Sequence, residues 1–174
     1  EGDAMSLPVT RTMWIRRWGW NVTVKTNVKC LSLTQPYATL MALGLKRIET
    51  RSWATQYRGP LVIHAAKGFP PASRDLCETE PFKGALASYG ITSWRQLPLG
   101  ALLATVRLCV ILDIVGPGAW WFSVVPGLVP PVEPERSYGN YTAGRHAWLT
   151  SDACAFSEPI PYRGRLGLFD VVLP

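Results

Sequence analysis

Four charged side chains crowd into the run Gly44-Leu45-Lys46-Arg47-Ile48-Glu49-Thr50-Arg51-Ser52-Trp53: Lys46, Arg47, Glu49 and Arg51. A lysine and a carboxylate three residues apart can act as acid and base, with acid constants shifted by burial and by each other. The same set can instead bind. Lys46 and Arg51 would contact phosphates, Glu49 would orient Arg51 or accept a hydrogen bond from a base amino group, and Tyr37, Trp53 or Tyr141 would stack on a splayed base. A plain ion pair on a sheet face accounts for Glu49 beside Arg47 or Arg51, and such pairs also perturb acid constants. It does not account for the other polar segments that the elements below would gather around them.

Those elements are legible from pattern. Cys30-Leu31-Ser32-Leu33 reads as a strand, Thr34 and Gln35 offer an N-cap, and Pro36 suits the first turn of a helix running to about Leu43, with Gly44 in left-handed backbone at its end. The free N–H groups near Gln35 would suit an anion. Ile48, Thr50 and Ser52 alternate with Glu49, Arg51 and Trp53, as in a strand with one charged face, so Glu49 and Arg51 would share that face and could pair; Lys46 precedes it in a turn, free to swing to either side. After the turn Tyr57-Arg58-Gly59-Pro60, the run Leu61-Val62-Ile63-His64-Ala65-Ala66 is apolar on both faces and reads as a buried central strand. His64 reads as a hydrogen-bonded core residue rather than a catalyst.

Beyond Lys67, a helical segment over 73–88 is interrupted by Pro81, and the long run Ala101 to Ile114 reads as a bent strand or two strands sharing a bulge. Arg107 is the charge in its middle, directed either into the cleft or off an edge. Residues 116–134 form a Pro-, Gly- and aromatic-rich loop expected to pack through Trp120, Trp121 and Phe122. The segment Ser137 to His146 carries hydroxyls, Asn140 and Arg145 on a glycine-punctuated backbone, the composition of a ligand-contacting loop, and leads into a strand at Ala147-Trp148-Leu149. A last strand covers Leu166 to Val172.

Charge narrows the partner class. The net charge is +6, and up to Lys67 the chain has ten basic residues against three acids, whereas beyond it eight face nine. A basic field confined to the N-terminal third favours a polyanion such as nucleic acid. Trp14, Trp18 and Trp20 interleaved with Arg11, Arg16 and Arg17 could add stacking and phosphate contacts from an N-terminal arm of the kind commonly poorly ordered. The four cysteines are widely spaced, without a C-x-x-C, and there are two histidines, so no zinc site or cofactor is expected. Cys30 and Cys109 read as small core residues, and all four as reduced thiols of a cytoplasmic protein. No apolar run approaches a membrane span, and no signal segment is evident. With 48% hydrophobic residues the chain can bury a single core.

Taken in order, the Gln35-Pro36-Tyr37 helix, Gly44-x-Lys46-x-x-Glu49-x-Arg51-Ser52-Trp53, Tyr57-Arg58-Gly59-Pro60, Ile63-His64-Ala65-x-Lys67 and Tyr138-Gly139-Asn140-Tyr141-x-x-Gly144-Arg145-x-Ala147-Trp148 closely resemble the ASCH family of PUA-like domains, over about Lys29 to Val172. The resemblance implies an α+β fold, a mixed or antiparallel PUA-like β-barrel with short helices packed over it. Residues 1–28 would be an extension and 29–174 the domain. It implies a basic cleft lined by the G-x-K-x-x-E-x-R motif and a role in recognising RNA, another nucleic acid or a nucleotide, with Gln35, Tyr37, Lys46, Glu49, Arg51, Trp53, Arg58, Lys67, Tyr141 and Arg145 as contacts.

Hydrolysis is the alternative. One branch of the family is similar to amidohydrolases acting on acylated cytidine, but has Thr at the position of Glu49 and an acid near Arg107. Another resembles ribonucleases, for which Lys46, Tyr141 or Tyr57, and Thr142 would handle the phosphate and the protons.

Overall fold

The computed structural model describes residues 27–115 and 131–173. The tryptophans of the N-terminal arm and the Trp120, Trp121 and Phe122 cluster lie outside the described residues. Within them the chain runs β1 (Asn27–Leu33), α1 (Tyr37–Ala42), β2 (Ile48–Arg51), β3 (Gly59–Ala65), α2 (Pro71–Leu76), α3 (Phe82–Ala87), β4 (Ala101–Ile114), β5 (Arg145–Pro161) and β6 (Leu168–Val172). The six strands form one sheet in the order β2-β5-β4-β3-β1-β6. β1 and β3 are parallel, and every other pairing is antiparallel.

The apolar run of β3 is buried on both faces because it lies between β4 and β1 with packing above and below. Leu61, Ile63 and Ala65 join Leu31, Leu33, Met41, Leu103, Val106 and Trp148 in the main core. Val62 points the other way, toward Cys30, Leu102, Phe169 and Val171. Desolvation pushes the Cys30 thiol up to about 12, so it stays protonated and acts as a small hydrophobe. Helix α1 seals the main core with Ala38, Met41 and Ala42, while its Leu40 meets a satellite cluster built with Phe82, Leu86, Leu97 and Tyr138.

The α+β class, the mixed sheet and the short helices are as expected, but the sheet does not close. Among the described residues β2 and β6 are edges. Strand β2 is only four residues long, and what crosses the seam is a side chain: Arg51 Nη2 donates to the main-chain oxygen of Ser32 on β1 at 2.7 Å, four places away in the strand order.

Several local expectations are revised. Cys109 is exposed rather than in the core, because β4 bends at register shifts and presents the alternate residues Arg107 and Cys109 to solvent. Arg107 is thereby directed off the sheet. The segment over 73–88 is two helices, α2 and α3, separated at Pro81. Strand β5 extends far past Leu149, since its mostly exposed second half still has β4 as a ladder partner. The N-terminus of α1 offers no open anion site. Gln35 is fully buried, its Oε1 accepts from Thr39 N at 3.1 Å, its Nε2 donates to Pro98 O at 2.8 Å, and Ala38 N is taken by Thr34 O.

Candidate functional site: a buried lysine beneath a carboxylate

The turn after α1 aims Lys46 inward. Gly44 takes φ +72°, which any side chain would resist, and the amides of Leu45 and Lys46 both bond back to Leu40 O at 2.9 and 3.0 Å. Lys46 is therefore 1% exposed rather than free to swing. Its Nζ donates to Ile48 O and to Tyr138 O, the latter at 2.6 Å, and lies 3.5 Å from Glu49 Oε2. An ammonium has three protons, and here three acceptors surround it. The face of Tyr37 lies 5.6 Å from the same nitrogen.

Strand β2 places Glu49 and Arg51 on one face and Ile48 and Thr50 on the other, as the alternation requires. The Glu49 carboxylate sits between two cations: Lys46 at Oε2 and, at 3.3 Å from Oε1, Arg51 Nε. That second contact is an ion pair and not a hydrogen bond. A carboxylate has about four lone-pair sites, so one contact at each oxygen leaves acceptor capacity on Glu49. Two phenols feel the charge of the carboxylate. Burial first and then the charge of Glu49 raise the Tyr37 hydroxyl above its ordinary value. Burial and the charges of Glu135 and Glu49 drive Tyr141 far up, which keeps it a phenol that can donate but not a base.

The segment from Tyr138 to Arg145, expected as a ligand-contacting loop, docks directly on β2. Tyr138 supplies its carbonyl to Lys46, Asn140 N donates to Thr50 Oγ1 at 3.0 Å, and Arg145 Nη2 donates to Thr50 O at 2.8 Å. Trp53 stays half-buried, edge-on to Trp148 with centroids 4.7 Å apart. Tyr37, Lys46, Glu49 and Arg51 are thus gathered at the seam, whereas Tyr141 packs with Ile48 and Ala147 and Arg145 is held on the Thr50 carbonyl. Gln35 is a buried helix brace. Arg58, whose guanidinium bonds the carbonyls of Thr55 and Tyr57, precedes β3, and Lys67 follows it, so a seven-residue strand of roughly 20 Å at ~3.3 Å per residue separates them. Thr142 is exposed.

Glu135 is a site residue that sequence reasoning missed. It lies in a 3₁₀ turn, Glu135–Tyr138, where its Oε2 accepts from Arg47 N at 2.7 Å and its Oε1 from Ile48 N at 3.1 Å. Burial raises its pKa, opposed by these amides and by Lys46 and Arg47. A carboxylate in a proline-rich stretch gives no spacing signal for a partner 88 residues earlier.

Comparison with known proteins agrees with this arrangement of motifs. The model of the ASCH domain matches residues 31–155. Activating signal cointegrator 1 of Mus musculus is 39% identical over 79 residues, and that of Homo sapiens 38% over 79. Those segments are 45% of this chain and 13% of each relative, so the chain spans a small part of the curated proteins it matches. Among solved structures, ASCH from Zymomonas mobilis is 16% identical with a TM-score of 0.44, covering 84% of this chain and 87% of that one. A variant of the same protein gives 15% and 0.43. With the family model matched over more than half its length, the chain belongs to the ASCH domain family.

Proposed function

We propose that the seam between β2 and β1 binds single-stranded nucleic acid, with Glu49 accepting a hydrogen bond from a base amino group and Arg51 and Arg145 contacting the backbone. Membership of the ASCH family supports a nucleic-acid-binding role at the coarse level. The observation that carries the finer reading is the state of Glu49. It is a partly exposed carboxylate, at 13%, held between Lys46 and Arg51 with lone pairs to spare, and the ring of Tyr37 faces the same Lys46 nitrogen. Carboxylates that accept from base amino groups and aromatic rings that stack on unpaired bases are the usual means of reading single strands. Lys46 supports the site from beneath, since its three protons are already committed. That commitment is also why hydrolysis by a Lys46 acid–base pair is the weaker reading.

The test is fluorescence anisotropy with single-stranded oligonucleotides carrying 5′-hydroxyl ends. Affinity should fall with salt, and Arg51→Gln should reduce it by about tenfold and flatten the salt slope by about one phosphate contact. Glu49→Gln should change the preference among bases more than the salt slope. Salt-independent binding, unaltered by both substitutions in variants with a wild-type circular dichroism spectrum, would overturn the reading.

A further inference from the structure

A second recess lies where β1 and β3 end, a cavity of about 1060 Å³ lined by Ser32, His64, Lys67, Leu99, Arg163 and Arg165 among others. Ser32 and His64 are register partners in the parallel pair, so this is the carboxyl end of the two parallel strands, where open mixed and parallel sheets characteristically hold ligands. The ends of β1 and β3 staple the loop after β5 in place. His64 Nε2 lies 3.1 Å from Tyr162 O, which assigns the ring proton to Nε2, because a carbonyl can only accept. Nδ1 is then an acceptor, 3.0 Å from the Ser32 hydroxyl, which also lies 3.2 Å from Arg165 O. Tyr162 N donates to Gly100 O at 2.9 Å. Between the two arginines, Gly164 lies against this pair so closely that a Cβ there would come within 2.4 Å of His64 Cε1 and 2.8 Å of Ser32 Oγ.

The result is a rim of three cations on a fixed backbone. Lys67 follows β3, and Arg163 and Arg165 flank Gly164; all three are exposed, and none has an acid or another side-chain partner among the described residues. No carboxylate is part of the lining, and Ala66, Leu99, Pro161 and Leu166 supply apolar surface beside the charges. Small-molecule sites combine concavity, apolar lining and a few convergent polar groups in this way.

We propose that this recess is a phosphomonoester site, which takes the dianionic phosphate of a nucleotide on Lys67, Arg163 and Arg165 and its base or sugar on the apolar floor. A monoester carries about one more negative charge at neutral pH than an internal diester, and two arginines with a lysine suit bidentate and point-charge contacts to it. The phosphate could belong to a free mononucleotide or to the end of a strand. The proposal stands apart from the reading of the Glu49 seam, because it uses none of the same side chains.

The experiment is isothermal titration of the protein with adenosine 5′-monophosphate, adenosine and inorganic phosphate, and anisotropy with one oligonucleotide bearing either a 5′-phosphate or a 5′-hydroxyl. The monophosphate should bind at least tenfold more tightly than adenosine, and Arg163→Ala with Arg165→Ala should remove most of that difference. These exposed arginines can be replaced without disturbing the core. If the 5′-phosphorylated strand binds at least tenfold better than both the hydroxyl strand and the monophosphate, the natural source is a strand end. If the monophosphate competes with it on equal terms, the source is a free nucleotide. Equal affinity for phosphate-bearing and phosphate-free ligands, or affinity indifferent to the double substitution, would overturn the proposal. A hydroxyl strand that fails to bind while the monophosphate binds would sink the seam reading and leave this one standing.

Discussion

Replacing Lys46 with methionine separates a structural lysine from a ligand-contacting one. Methionine keeps most of the aliphatic stem in the space that Lys46 fills at 1% exposure. The change removes three polar contacts: the carbonyls of Ile48 and Tyr138 lose their charged donor, and Glu49 keeps only Arg51. Hydrogen bonds from charged groups contribute about 1.5–3 kcal/mol each, and breaking a buried pair costs about 3–5 kcal/mol. Because Glu49 retains a cation and some solvent, the lower end applies, about 3–4 kcal/mol. For a domain of this size that corresponds to a fall in Tm of roughly 10 °C, at about 2–4 °C per kcal/mol. The assay is thermal unfolding by circular dichroism, paired with oligonucleotide binding well below the variant's own Tm. Weakened binding should accompany lost stability. A Tm within about 2 °C of wild type together with abolished binding would refute the reasoning, since Lys46 would then spend its charge on the ligand and not on the fold.

Two further outcomes follow from neighbouring groups. Glu135→Ala leaves the amides of Arg47 and Ile48 without their acceptor and should destabilise by about 2–4 kcal/mol, with Glu135→Gln milder because one amide keeps an oxygen; urea unfolding of the pair measures it. Burial lowers the pKa of His64, opposed by the Tyr162 carbonyl, so the unfolded chain binds the proton first as pH falls. Stability contributed by neutral His64 should therefore be complete above its unfolded value of about 6.5 and should decline as pH drops through the lower, folded one. Lys67, Arg163 and Arg165 line the same cavity, and the raised Glu135 acts oppositely near its own ordinary value. Stability measured across pH 7 to 5 should slope less in His64→Gln than in the wild type.

What the sequence disclosed was governed by the range of the interactions. The helix that Pro36 opens and Gly44 closes, the two-faced burial of β3 and the alternating faces of β2 are set within a few residues, and each was legible. Glu49 and Arg51 share a face by strand period alone and do pair. The orientation of Lys46 was not legible, because it depends on the carbonyl of Tyr138, 92 residues later. Cys109 sits in an apolar run, and only the register shifts of β4 against β5 turn it outward. The polar second half of β5 hides a strand whose ladder, rather than its side chains, keeps it extended. Gln35, taken for part of an anion site, satisfies buried backbone at both ends of its amide.

The clamp of Glu135 on the lysine turn also bears on the order in which the domain assembles. Among the described residues strand β2 has a ladder to β5 and no other, over four residues, and the contacts from Glu135 and Tyr138 close loops of 88 and 92 residues. Loop closure of this length costs about 4 kcal/mol of chain entropy in the simplest estimate, so such contacts gain little until the long β4–β5 ladder has already brought the ends together. The seam is thus a late-forming unit resting on an earlier sheet, and by the same token an early-opening one. Its amides should exchange with solvent through a local excursion that leaves β1, β3 and β4 intact. A nucleic acid that holds both sides of the seam would slow that exchange, making protection of the Ile48 to Arg51 amides a direct gauge of occupancy.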